Sequence, residues 1–154
     1  KNIDNIQFKF TQKTNENTEK GICVLVFPNK LKCNYEDKNK KELIINKKMM
    51  AITQKRYGKT LFYPLSKSTF INILSKDELI KIINESDTFI DDYFNIVFMN
   101  EVNSKTLIRF DKENFLLAGW ISSDQYNNQV TFDIEINSIN QMIDKKIFTL
   151  PSRN

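Results

Sequence analysis

Apolar and polar residues alternate along most of this chain in short segments separated by turn residues, and this pattern constrains the fold more than any other feature. The clearest example occupies residues 21–35, where two alternating arms flank a turn at Pro28, Asn29 and Lys30. Such alternation is typical of β-strands that bury one face, so the segment predicts a β-hairpin. With the same parity kept across the turn, the inward-facing side chains are those of Cys23, Leu25, Phe27, Leu31, Cys33 and Tyr35.

Similar segments recur along the chain at spacings of about eight to twelve residues, which indicates an antiparallel sheet. Apolar or alternating segments begin near Leu43, Met50, Leu61, Phe94, Leu107, Phe115 and Val130. The polar residues 12–20 are interpreted as a loop or an irregular strand extension, and residues 139–143 as a short helical turn. The pattern as a whole predicts a mainly β (α+β) fold, in which one strongly curved antiparallel sheet wraps over a few helices.

Residues 63–83 interrupt this pattern, because their apolar side chains recur at helical spacing. Phe70, Ile73 and Leu74 fall on one face of a helix, and Ser75 with Glu78 forms a capping-box pattern. The stretch therefore predicts two short helices joined by a bend. Taken alone, it favours an ordinary helix packed on the core; above a curved sheet whose concave face needs a cover, a hinged lid is preferred.

The absence of histidine removes the commonest general base, the usual partner of a Ser or Cys nucleophile and the commonest metal ligand. Asp91 and Asp92 are a pair of adjacent carboxylates next to an apolar strand. Neighbouring strand residues point to opposite faces, so a solvated strand entry is preferred over a shared acid–base site. The chain is therefore expected to be neither an enzyme nor a cofactor-binding protein.

Charge and length limit the number of domains and the classes of function that remain. The 154 residues predict one domain over residues 1–154, with a net charge of +4 from 23 basic and 19 acidic side chains. The lysines are scattered and arginine is rare, so nucleic-acid binding is not expected. No apolar run approaches the roughly 20 residues that span a bilayer. The chain begins at Lys1 without a methionine, which predicts that upstream sequence has been removed.

The two cysteines are too few for a disulfide scaffold and lack the spacing of a metal site. Cys23 and Cys33 lie on the apolar faces of neighbouring predicted strands. A cross-strand disulfide in an oxidising compartment and two buried free thiols both fit this placement, and the free thiols are the favoured interpretation.

The order of several short motifs resembles the LolA family of periplasmic lipoprotein carriers. The matching segments are Phe10 to Gln12, the hairpin of residues 21–35, residues 63–74, Leu117 to Trp120 with Asp124, residues 130–134 and residues 147–151. The resemblance covers nearly the whole chain and is clearest in its C-terminal part.

This resemblance implies a half-open β-barrel covered by short lid helices, with an apolar interior that carries lipoprotein acyl chains through the periplasm. A LolCDE-like ABC transporter would be the inner-membrane donor and a LolB-like protein the outer-membrane acceptor, and the carrier would be a monomer that catalyses no reaction. The alternatives are a carrier of another lipid, or a sensor module of the same fold that binds a lipoprotein or a membrane regulator. The lipid-binding residues expected are Cys23, Leu25, Phe27, Leu31, Cys33, Tyr35, Phe70, Ile73, Leu74 and Trp120.

The sequence departs from the family pattern at the position before the hairpin proline. Family members carry an arginine there that bonds to the lid helices, whereas this chain has Phe27. Either Phe27 packs against Phe70 or Leu74 to hold the lid, or the closed state is looser. Thr69 is also followed by Phe70, where many family members have proline.

Overall fold

The computed structural model describes residues 3–67, 81, 84–99, 105–113, 116–123 and 126–152, and its main element is one sheet of eleven antiparallel strands. The strands are β1 (Asn5–Thr14), β2 (Asn17–Val26), β3 (Lys30–Tyr35), β4 (Lys41–Asn46), β5 (Met49–Gln54), β6 (Lys59–Pro64), β7 (Asp87–Ile90), β8 (Tyr93–Met99), β9 (Lys105–Asp111), β10 (Leu117–Ser123) and β11 (Gln129–Ile139). Two 3₁₀ segments, Leu65–Lys67 and Lys145–Phe148, accompany them. The prediction of a mainly β fold with a curved antiparallel sheet is confirmed.

The strand order is β6-β5-β4-β3-β2-β1-β11-β10-β9-β8-β7. Strands adjacent in sequence are therefore neighbours in the sheet, except that β1 also pairs with β11 and β6 does not pair with β7. The first and last strands thus lie at the centre, and within the described residues β6 and β7 form two open edges. The predicted lid residues Phe70, Ile73 and Leu74 come between β6 and β7 in the sequence and lie outside the described residues.

The start of the chain forms a long hairpin. Strands β1 and β2 have ten residues each, and residues 15–16 turn the chain between them. Asn15 takes a φ of 55°, a left-handed conformation that asparagine tolerates better than most residues. Of the two interpretations of residues 12–20, the strand extension is correct. The apolar pattern fades there because the paired residues, such as Gln12 with Glu19, are polar.

The predicted start of the helical stretch at Tyr63 is wrong. Tyr63 belongs to β6, where it pairs with Met50, so the chain leaves the sheet only after Pro64. Its alternation with Leu61 continues the strand pattern, and this local signal outweighs the helical spacing that begins farther along. Near the other end of the stretch predicted for residues 63–83, Lys81, Asn84 and Glu85 are helical.

The C-terminal tail is extended where a helical turn was predicted for residues 139–143. Strand β11 continues to Ile139, and the chain then turns at Asn140, whose φ is 54°. The turn is fixed to β1, since the Asn140 side-chain oxygen accepts a hydrogen bond of 2.6 Å from the Asp4 backbone N–H, and Asn5 bonds to Gln141 at 2.8 and 2.9 Å. These bonds to another strand stabilise an extended tail, which a local helical pattern does not reveal.

The tail covers part of the convex face of the sheet. Phe148 is fully buried, and its carbonyl oxygen accepts a hydrogen bond of 3.0 Å from the Asn46 side chain. Asn46 shares its face of β4 with Ile44, which is also buried, as is the cross-strand partner Ala51. The middle of β4 is therefore buried on both faces, because its other face belongs to the main core.

The main core lies on the concave face. It contains side chains from both halves of the sheet, listed as Ile6, Phe8, Phe10, Cys23, Leu25, Leu31, Cys33, Leu43, Ile45, Met50, Leu65, Ile108, Trp120 and Phe132. The inward parity predicted for the β2–β3 hairpin is confirmed, because Cys23, Leu25, Leu31 and Cys33 are all at most 2% exposed.

Cys23 and Cys33 form a disulfide, so the favoured interpretation of two free thiols is wrong. The two residues are direct partners in the β2–β3 ladder, with Cα atoms 4.1 Å apart on the same face. That register places the two thiols side by side, which spacing in the sequence alone could not establish.

We expect the Cys23→Ala/Cys33→Ala double variant to lose about 2–3 kcal/mol of unfolding free energy, because the bond closes a loop that the unfolded chain would otherwise sample freely. Urea unfolding at equilibrium measures the loss. The unfolding free energy of the variant should be the same with and without dithiothreitol, because the variant has no disulfide to reduce. Wild-type protein reduced by dithiothreitol should lose a similar amount. Equal stability of the oxidised wild type and the variant would contradict this prediction.

Candidate functional site

Two rows of apolar side chains run across the concave face from the β6 edge to β11. The first row contains Leu61, Ile52, Leu43, Cys33, Cys23, Phe8 and Ile136. The second row contains Tyr63, Met50, Ile45, Leu31, Leu25, Ile6 and Ile139. Each row crosses seven neighbouring strands, and neither contains a charged side chain. Together they form a continuous apolar strip.

Four aromatic rings extend this strip into the C-terminal half of the sheet. The Tyr35 ring meets Phe10 edge-on with centroids 4.9 Å apart, Phe10 stacks on Phe132 at 4.9 Å, and Phe132 stacks on Trp120 at 4.2 Å. Gly21 makes room for this arrangement, because a Cβ atom there would lie 2.7 Å from the Phe10 ring. The stack therefore joins β3 to β10 through strands that are far apart in the sequence.

Part of the concave apolar surface is open to solvent. Side chains that are half-buried and packed against the core include Phe27, Ile52, Phe110, Leu117, Ile134 and Ile136. At the β6 edge, Leu61 is 61% exposed and Tyr63 is 38% exposed. Large apolar side chains left partly uncovered on one connected surface indicate a binding surface rather than a completed core.

Charged groups lie at the rim, beside Tyr35. The Lys41 ammonium is 2.6 Å from a carboxylate oxygen of Glu19 and 4.0 Å from the centroid of the Tyr35 ring. Burial, together with the nearby carboxylates of Glu19 and Asp37, raises the pKa of Tyr35 above its ordinary value. The Tyr35 phenol therefore stays neutral.

The predicted binding residues fall into three groups. Cys23, Leu25, Leu31, Cys33 and Trp120 lie in the buried core of the concave face, which the structure brings together with β1 and β11. Phe27 and Tyr35 are half-buried against that core. Phe70, Ile73 and Leu74 lie outside the described residues, so the predicted packing of Phe27 against the lid stays a prediction.

Sequence reasoning missed the contributions of β1 and β11 to the face. Phe8 and Phe10 lie on β1, and Phe132, Ile134 and Ile136 lie on β11. The alternation of these residues was the available signal, since it predicts strands with one apolar side. It could not show that the two strands pair with each other at the centre of the sheet.

The Asp91 and Asp92 pair forms the turn between β7 and β8. The Asp91 carboxylate accepts hydrogen bonds from the Tyr93 backbone N–H at 2.8 Å and from the Asn95 side chain at 2.9 Å. These bonds lower the pKa of the exposed Asp91 carboxyl. Its role is to stabilise a turn, in agreement with the interpretation of a solvated strand entry.

Two general properties concern the part of the chain that the structure describes. No group of three or more Cys, Asp or Glu side chains there is placed to hold a metal ion. None of the helical segments there has the length and apolar character that a membrane crossing requires.

Comparisons with known proteins agree with this geometry. A family model described as "Outer membrane lipoprotein carrier protein LolA" matches residues 1–151. A search of curated proteins by sequence gave no match.

Solved structures share the fold at very low sequence identity. A LolA superfamily protein from Nitrosomonas europaea aligns with a TM-score of 0.52 and 9% identity, over 96% of this chain and 90% of that one. A DUF1329 family protein from Desulfovibrio piger aligns with a TM-score of 0.53 and 7% identity, over 96% of this chain and 90% of that one. A chain of the Pseudomonas aeruginosa MucA/MucB complex aligns with a TM-score of 0.50 and 8% identity, over 96% of this chain and 56% of that one.

Proposed function

This chain belongs to the LolA family, and from that membership we propose that it is a periplasmic carrier that binds lipoprotein acyl chains on its concave face and moves them from the inner to the outer membrane. The observation that supports this most directly is the pair of apolar rows across seven strands, with half-buried side chains at Ile52 and Ile136. Such a surface offers a ligand contact area without directional polar groups.

The physical character of acyl chains suits this surface. An acyl chain has no directional groups of its own, so its binding site needs only apolar area and room, and each buried methylene contributes roughly 0.8 kcal/mol. A surface that is already part of the folded core can accept the chain without a new polar network. Transfer to an acceptor then requires only another apolar site that binds the chain as well.

The partners follow from the carrier role. We propose a LolCDE-like ABC transporter as the inner-membrane donor, a LolB-like protein as the outer-membrane acceptor, and a monomeric carrier that catalyses no reaction. The lid predicted for residues 63–83, with its start now after Pro64, remains part of this proposal as the cover of a half-open barrel. Exposed apolar side chains on both edges, Leu61 on β6 and Ile90 on β7, support a cover at this position.

A second candidate is a sensor module that binds a protein segment on the same face. It is favoured by the fold likeness to a chain of the MucA/MucB complex, although this chain spans only about half of that one, at 56%. A sensor would hold a membrane regulator, whereas a carrier would hold an acylated cargo.

Mass spectrometry of the protein purified from its native host distinguishes these functions. A carrier is expected to copurify with acylated lipoprotein, another lipid carrier with a different lipid, and a sensor with an unacylated protein partner. The delipidated carrier should also take up a fluorescent fatty-acyl probe. A well-folded sample that takes up no probe and copurifies with no lipid would rule out the carrier function.

A further inference from the structure

The concave face is not uniformly apolar from one end to the other. Past the aromatic stack, Gln12 pairs with Phe132, and Thr14 pairs with Val130, whose other partner is Ser122. Thr106 and Ser122 are the next residues on β9 and β10 after the Ile121–Leu107 pair. We call Gln12, Thr14, Thr106 and Ser122 the polar end of the concave face. These four side chains carry hydroxyl and amide groups, and the ion-paired carboxylate of Glu19, the partner of Gln12 on β2, adjoins them.

Thr106 is the most unusual member of the polar end. It shares a face of β9 with the fully buried Ile108, and it is itself only 1% exposed. Among the described residues its hydroxyl oxygen has no hydrogen-bond partner. A buried hydroxyl without a partner costs free energy, and most such groups in proteins are paired. The Thr106 hydroxyl is therefore available for an acceptor that the protein itself does not supply.

The opposite end of the face offers only hydrocarbon. Ile6, Leu25 and Leu31 are at most 3% exposed and adjoin one another across β1, β2 and β3. Along β1, Ile6 and Thr14 are eight residues apart, which is about 26 Å at roughly 3.3 Å per residue. The hydrocarbon of one bilayer leaflet is about 15 Å thick, half of the roughly 30 Å core. Thr106 lies at the same end of the face as Thr14, three strands away on β9, so the face is long enough for an acyl chain whose linkage lies at that end.

We propose that the concave face binds an acyl ester or amide in one orientation, with the chain toward Ile6, Leu25 and Leu31 and the linkage carbonyl accepting a hydrogen bond from the Thr106 hydroxyl. The inference rests on the proposed carrier function and adds the chemistry and direction of the ligand. Because Thr106 is buried, the carbonyl reaches it by displacing a neighbouring group. Binding is favoured because the Thr106 hydroxyl, which has no partner among the described residues of the unliganded protein, then donates a hydrogen bond.

Trp120 reports the orientation, because it is the chain's one tryptophan and lies two residues from Ser122 at the polar end. The probes are two lysophosphatidylglycerols, one brominated near the ester and one near the terminal methyl, used below their micelle concentration. The proposal predicts greater loss of Trp120 fluorescence with bromine near the ester. An equal or reversed order would overturn the orientation while leaving lipid binding intact.

The Thr106→Val variant tests the hydrogen bond. We expect affinity for an ester-linked lysophosphatidylglycerol to fall about 3- to 10-fold, and affinity for the ether-linked analogue, which lacks the carbonyl, to stay unchanged. The unliganded variant should be at least as stable as the wild type, since an unpaired buried hydroxyl has been replaced by a methyl group. Equal affinities of variant and wild type for the ester, or equal losses for ester and ether, would overturn the assignment.

The matched control is Thr53→Val. The Thr53 hydroxyl bonds to the Thr60 hydroxyl at 2.9 Å, so its removal should lower stability and leave lipid affinity unchanged. Failure of the wild type to bind either lipid, or to show any bromine quenching, would instead contradict the carrier function itself. The two proposals therefore fail by different results.

Discussion

Ile134→Glu is expected to lower the affinity for a fatty-acyl probe at least about 100-fold while the sheet remains folded. Ile134 lies on the concave face opposite Phe10, half-buried against the core and therefore partly hydrated in the unliganded protein. A bound acyl chain would take water away from the new carboxylate, which costs several kcal/mol. Because each 1.4 kcal/mol is tenfold in affinity, even about 3 kcal/mol produces the expected loss. Titration of the probe by fluorescence measures it, and circular dichroism with thermal unfolding checks the fold.

The matched control is Ile22→Glu, which introduces the same charge on the opposite face. Ile22 alternates with the buried Cys23 and is 51% exposed, so the glutamate stays in water and probe affinity should not change. Ile52→Glu gives a second test near the β6 edge, where the neighbouring Leu61 is exposed. Folded Ile134→Glu and Ile52→Glu variants that bind the probe as tightly as Ile22→Glu would show that the ligand lies elsewhere.

Gly119→Ala is expected to lower the unfolding free energy by about 4 kcal/mol, the combined effect of backbone strain and overpacking. Gly119 has a φ of 148°, and a Cβ atom there would overlap the Phe132 carbonyl oxygen and lie 3.2 Å from the Asp133 Cα. Its neighbours in the ladder are Arg109 and Asp133, whose side chains meet across the glycine at 2.6 Å. A methyl group would disturb both the ladder and this ion pair.

Gly58→Ala is the control for the glycine prediction. Gly58 also has a positive φ, of 62°, but a Cβ atom there meets nothing within 4 Å. Only the backbone cost applies, about 1 kcal/mol. Urea unfolding of the two variants separates the cost of backbone strain from the cost of steric overlap. A Gly119→Ala variant that is no less stable than Gly58→Ala would contradict the expected overlap.

The fold could be predicted best from the sequence where one face of a strand is buried and the other is exposed to solvent. The β2–β3 hairpin is such a case, and the inward parity of Leu25 and Leu31 could be derived from alternation alone. The β1–β2 turn was harder, because the residues around Asn15 are polar on both faces and give no periodicity. The β1–β11 pairing is not encoded in any local pattern, since it joins residues more than 100 positions apart.

The same distinction applies to the candidate site. Residues of one hairpin, such as Cys23 and Cys33, could be placed on a common face, but their bond depended on a register that spacing alone leaves open. Trp120 entered only through the family resemblance. Its stacking on Phe132, and that of Phe132 on Phe10, exists only once β1 and β11 meet. The Thr106 hydroxyl could not be found in the sequence, because a threonine in a strand is ordinary until its partners are known.

The central position of β1 and β11 also sets the order in which the chain can become functional. Both apolar rows end on β11, so neither is complete until the last strand has docked beside the first. Contacts between residues so distant in sequence form late, because closing a long loop costs chain entropy before any contact offsets it. During synthesis, the chain therefore assembles its complete acyl-binding surface last, and a partly made chain lacks the full surface that would capture lipid.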